Sequence, residues 1–122
     1  MKKMLIVAAA LSFVTPALAQ HDHHKGPNGG PVEDVAGVHV EMVASGKTVT
    51  FNVFDEVNKP LSAEGFSGAA LLISGSERET LRLTATGTAL KAQSKSDIAK
   101  GASVSLTLKT ADGKTGQAKF KP

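Results

Sequence analysis

From Val38 to Val43 the chain alternates. Val38, Val40 and Met42 fall on one parity, and His39, Glu41 and Val43 on the other. A period of two marks a strand with one face against a core. Ser45-Gly46 reads as a turn, and Lys47 to Phe54 alternates again with Val49, Phe51 and Val53 on one side. The two segments predict a hairpin. Asp55 to Gly65 reads as a loop turning at Asn58-Lys59-Pro60, and Gly68 to Ser74 as a small-residue strand buried on both faces. Leu81 and Leu83 alternate with Thr80, Arg82 and Thr84, and Thr88 to Gln93 places Leu90 and Ala92 together. Ala102 to Lys109 sets Val104, Leu106 and Leu108 against Ser103, Ser105 and Thr107. Asp112-Gly113 is a hairpin turn signal, and a last strand, near Thr115 to Lys121, returns Ala118 and Phe120 to the core.

About seven short strands, with turn signals every 8 to 12 residues and no helical period, predict an all-β chain. The expected architecture is a single antiparallel β-sandwich, immunoglobulin-like, with a small barrel as the alternative. The length of 122 residues fits one domain. Trp and Tyr are absent, so the core is built from aliphatic residues with Phe51, Phe54, Phe66 and Phe120. That suffices for a small sandwich but not for a deep pocket.

The first 19 residues have another character. Lys2 and Lys3, the apolar run Met4 to Val14 and the small-residue site Ala17-Leu18-Ala19 form a secretory signal peptide. The run is too short to span a bilayer, which takes about 20 apolar residues. Cleavage after Ala19 and a periplasmic destination are expected, with no membrane anchor. Residues 20–31, rich in His and Gly, read as a flexible arm, and residues 32–122 as the β-domain. Losing Lys2 and Lys3 lowers the formal charge from +3 to +1. With no basic patch and no stacking aromatics, nucleic acid is not an expected partner.

All four histidines lie between His21 and His39. His21, His23 and His24 open the arm, a composition associated with metal binding. His39 and Glu41, two apart on a strand, point to the same outer face. A two-residue turn at Ala36-Gly37 would place Asp34 directly opposite His39 on that face. Imidazole and carboxylate suit a borderline divalent ion, so His21, His23, His24, Asp34, His39 and Glu41 are the candidate ligands. Copper(II) and zinc come first, with nickel and cobalt open. The chain has no Cys, and Met42 is the one methionine outside the leader, which argues against thiolate and copper(I) sites.

No catalytic motif is present. Gly65-Phe66-Ser67-Gly68 misses the nucleophile-elbow spacing, and there is neither a His-Glu-x-x-His nor a phosphate loop. An enzyme is not expected.

Gly-Pro-Asn-Gly-Gly-Pro-Val from Gly26, His-Val-Glu from His39, Val-Thr-Phe-Asn-Val-Phe-Asp from Val49 and Asn-Lys-Pro-Leu from Asn58 together resemble a group of small exported bacterial proteins. That group is associated with heavy-metal resistance and efflux, and its opening is similar to the N-terminal part of metal-efflux adaptor proteins. The resemblance covers Gly26 to Leu61. It implies a metal-associated periplasmic protein, with an efflux-system component as a possible partner. His39 and Glu41 match the His-x-Glu position, and the similar proteins often carry His where this chain has Asn28. The rival expectation is a β-sandwich interaction module that binds no metal.

Overall fold

The computed structural model describes residues 25–121. The leader and the candidate ligands His21, His23 and His24 lie outside these. Among the described residues nine strands follow one another: β1 (Val32–Val35), β2 (Val38–Ser45), β3 (Thr48–Phe54), β4 (Ser67–Ser74), β5 (Glu77–Arg82), β6 (Thr84–Thr86), β7 (Ala89–Gln93), β8 (Ser103–Lys109) and β9 (Thr115–Phe120). They form two antiparallel sheets, ordered β1-β2-β3-β7-β6 and β5-β4-β8-β9. The order β2-β3-β7-β6 is the A-B-E-D order of an immunoglobulin-like sandwich, and β4-β8-β9 is its C-F-G order. β5 extends the second sheet, and β1 is an added edge on the first. Strands β1 and β9 lie side by side at one corner. No hydrogen-bonded ladder joins the two sheets among the described residues, so the architecture is a sandwich and not a closed barrel.

The alternating positions meet between the sheets. Val40, Met42, Val49, Phe51, Val53 and Leu90 from the first sheet are buried against Ala70, Leu72, Val104, Leu106, Leu108 and Phe120 from the second. Phe51 meets Phe120 edge to face across the layer, with ring centres 5.6 Å apart and planes at 60°. This geometry favours the positive ring edge against the negative ring face.

Three expectations change. Strand β4 is buried on one face only: Ala70 and Leu72 point inward, while Ala69, Leu71 and Ile73 are half-buried on the outside. An antiparallel sheet needs one packed face only. The run from Thr80 to Thr84 is not one strand, because β5 ends at Arg82 in one sheet and β6 starts at Thr84 in the other. Leu83 makes the crossing. It stays buried, and its N–H reaches Gly68 O at 3.4 Å. Finally, the glycine-rich segment from Lys25 to Pro31 is docked on β2, as described below.

The Ala36-Gly37 turn joins β1 to β2 with two residues. Its φ angles of 53° and 87° are those of a type I′ turn. Gly37 suits this turn, whereas Ala36 carries a Cβ in the left-handed region, which costs about 1–2 kcal/mol. Ala36→Gly relieves that strain at the expense of unfolded-state entropy and a little packing. We expect a net gain of about 0.5–1 kcal/mol in urea unfolding. A loss of stability would show that the Ala36 methyl, which packs on the core, outweighs the strain.

Candidate functional site

The two-residue turn sets the register of β1 on β2. Asp34 lies opposite His39, Glu33 opposite Val40 and Val32 opposite Glu41. Asp34 and His39 share the outer face, as the turn geometry requires, and Asp34 Oδ1 lies 3.2 Å from His39 Nε2. Their side chains are 80% and 30% exposed, so both can reach a ligand from solvent. On its other side His39 stands opposite Phe54 of β3. The Asp34–His39 pair is the one contact of a basic side chain with a carboxylate within 4.0 Å among the described residues.

Glu41 points the same way and yet is fully buried, at 0% exposure. The cover is the glycine-rich segment. Gly26 N–H donates to Gly30 O at 2.7 Å, Gly29 N–H donates to Gly26 O at 2.9 Å, and Lys25 pairs antiparallel with Pro31. Pro27 presets the turn through its fixed φ, and Gly29 closes it at φ 84°. The result is a tight hairpin folded back over β2. Inside it the Glu41 carboxylate is the acceptor for three donors: Asn28 N–H and Gly30 N–H on Oε2, and Asn28 Nδ2 on Oε1, each at 2.9 Å. Convergent donors of this kind replace the water a buried carboxylate would otherwise lack.

The fit explains two of the glycines. A Cβ on Gly30 would lie 2.0 Å from Met42 O, and one on Gly26 would lie 2.5 Å from Glu41 Cδ. The hairpin therefore rests backbone-to-backbone on β2 at Gly30, with Met42 N–H donating to Pro31 O at 3.0 Å alongside. The Gly-Pro-Asn-Gly-Gly motif and the glutamate thirteen residues beyond Asn28 make one clasp.

The six candidate ligands thus separate. Asp34 and His39 are together and accessible. Glu41 is beside them in sequence, with both oxygens engaged by the hairpin. His21, His23 and His24 lie outside the described residues. No group of three or more His, Cys, Asp or Glu side chains is arranged to hold a metal among the described residues. Asn28, Gly26 and Gly30 were not candidates from sequence, because a loop without periodicity carries no sign of what it folds against. The one available signal was the motif's spacing from Glu41. Compared with models of known protein families, with curated proteins and with solved structures, the chain matches none.

Proposed function

We propose that the protein is an exported, periplasmic accessory protein that binds a divalent transition metal and hands it on, as a buffer or carrier for an efflux system. The ligands in this reading are His39 and Asp34 on the β1–β2 face, completed by His21, His23 and His24. Glu41 is reassigned: it anchors the hairpin and does not ligate.

One observation carries the reading. Lys25 and Pro31 pair antiparallel, so Lys25, which follows His24 in sequence, lies beside the residue that precedes β1. Asp34 is two residues beyond Val32, about 7 Å along a strand. The position of Lys25 beside the start of β1 supports a histidine tract acting together with His39 and Asp34. Two ligands make a weak site, and a tight one takes about four; the tract has three histidines to add. An open site of this kind exchanges its ion readily, which suits a carrier.

Isothermal titration with zinc(II) and copper(II) tests it, on untagged protein beginning at Gln20. His39→Ala should weaken binding by about 1–3 kcal/mol, and deleting His21 to His24 should cost a similar amount. The double change should cost less than the sum, because both act on one ion. Affinity should also fall on acidification, since a protonated imidazole cannot ligate. If His39→Ala binds like wild type while the deletion abolishes binding, the metal belongs to the tract alone. Binding no tighter than tens of micromolar by any of these ions would favour the interaction module.

A further inference from the structure

We propose that the outer face of the β5-β4-β8-β9 sheet docks an acidic, extended segment of a partner protein. The register places the side chains. Ala70 and Leu72 point into the core, so Ala69, Leu71 and Ile73 face outward. Opposite these three on β5 stand Arg82, Thr80 and Arg78. On the other side stand Thr107, Ser105 and Ser103 of β8, and beyond Ser105 and Thr107 come Lys119 and Gln117 of β9. Lys109, opposite Ser67, completes the face. It carries Arg78, Arg82, Lys109 and Lys119, all exposed, and among the described residues not one carboxylate. None of the four is in an ion pair among the described residues.

The charge is sorted by strand parity. Edge strand β5 contains Glu77 and Glu79 as well as two arginines, and the glutamates point the other way. Glu79 accepts hydrogen bonds from Ser94 Oγ at 2.8 Å and from Lys95 N–H at 3.1 Å. The acids of this edge are thus turned from the face and the cations onto it. Cations on an edge strand also discourage strand pairing between molecules. That purpose does not account for Lys109, which lies on the interior strand β8.

The shape selects the occupant. Small residues leave a shallow trough of about 480 Å³ over Ala69, Leu71, Ser105 and Thr107. It runs across the strands from Thr80 of β5 to Lys119 of β9, and Arg78 and Arg82 flank Thr80 on the same face of β5. Thr80, Ser105 and Thr107 bring hydroxyls to a floor otherwise made by Ala69, Leu71 and Ala118, and Lys119 stands at one end. An extended chain with spaced carboxylates matches this, gaining charge-assisted hydrogen bonds as well as steering. A bilayer is flat and would not enter a trough, and Leu71 and Ile73, half-buried, offer little apolar surface to insert. Bases and sugars stack on aromatic rings, and the face has none among the described residues.

Fluorescence anisotropy with a labelled peptide of alternating Glu and Ser tests this, on protein expressed from the full sequence. At about 50 mM salt, where screening is modest, binding should saturate. Arg82→Glu with Lys119→Glu should weaken it about tenfold or more. Lys47→Glu with Lys91→Glu makes the same change in net charge away from this face, and should shift it less than about twofold. Thermal melts check that both variants fold. If the reversal disturbs folding, Arg82→Gln with Lys119→Gln takes its place with the same ranking expected. Equal losses in the two pairs would overturn the proposal, since net charge alone would then explain binding. So would no saturable binding, or binding to vesicles with anionic lipid or to duplex DNA in preference to the peptide.

Discussion

Glu41→Ala should release residues 25–31 from the sheet and lower the stability of the domain by about 2–4 kcal/mol. The carboxylate accepts three hydrogen bonds, and two of the donors are backbone N–H groups that have no second partner in the hairpin. Gly30 is buried, so its N–H cannot turn to water while the hairpin stays docked. Truncation therefore leaves either an unsatisfied buried donor or an undocked hairpin, and undocking costs less. Part of the loss is offset, because the folded chain no longer has to strip water from a carboxylate. Glu41→Gln should be milder, about 1 kcal/mol. A glutamine oxygen can still serve the two backbone donors, and the Asn28 amide can flip to accept from the new amide. Amide hydrogen exchange reads the outcome locally: Asn28 and Gly30 should lose protection by more than the fall in global stability explains. Wild-type unfolding and unchanged exchange in Glu41→Ala would mean that the three hydrogen bonds do not hold the hairpin.

The strands that sequence made visible are those with one packed face and one wet one. In β2, β3, β7 and β8 the parity of Val, Leu and Phe names the core directly. The two strands it did not show lack that contrast. β6 is Thr84–Thr86 with every residue exposed. β1 has a single buried residue, Val35, and its sequence Val-Glu-Asp-Val shows no alternation. The sheet switch at Leu83 was hidden for the opposite reason. Leu81 and Leu83 are both buried, at 2% and 8% exposure, so the alternation runs unbroken through a point where the backbone changes partners. Alternation reports which side chains are inside, and says nothing about which sheet carries them.

The same limit explains the candidate site. Parity correctly put His39 and Glu41 on one face, and the turn at Ala36-Gly37 brought Asp34 opposite His39. What parity could not supply was the cover. Glu41 is buried by residues eleven to thirteen positions upstream, in a segment whose glycines read as freedom when they in fact permit close approach. A glycine needed for a left-handed turn and one needed for want of a Cβ look alike in sequence. Gly29, at φ 84°, would meet nothing with a Cβ. Gly30 is the reverse case, limited by contact and not by its own dihedral. The cationic face was equally hidden, since Arg78 and Glu79 are neighbours in sequence and part only when β5 is laid on β4.

Gly30→Ala should cost nearly as much as Glu41→Ala, about 2–4 kcal/mol, by the same route from the opposite side. The added Cβ would meet Met42 O at 2.0 Å and Met42 C at 3.0 Å, and these are backbone atoms of a strand held on both sides. Met42 pairs with Phe51 in β3, and its N–H is engaged by Pro31 O, so β2 cannot retreat. The hairpin must leave, and Glu41 returns to water. The cost is therefore capped at the free energy of docking, which is also what Glu41→Ala forfeits. Gly26→Ala should cost less, because its Cβ meets the Glu41 side chain, which can shift where a carbonyl cannot. A double-mutant cycle decides whether the clasp is one unit. Once Glu41→Ala has undocked the hairpin, adding Gly30→Ala should change stability by less than about 0.5 kcal/mol, the scatter seen for independent sites. Full additivity in urea unfolding would mean that the glycine contact and the carboxylate hold the chain separately, and the hairpin would then be two weak attachments instead of one latch.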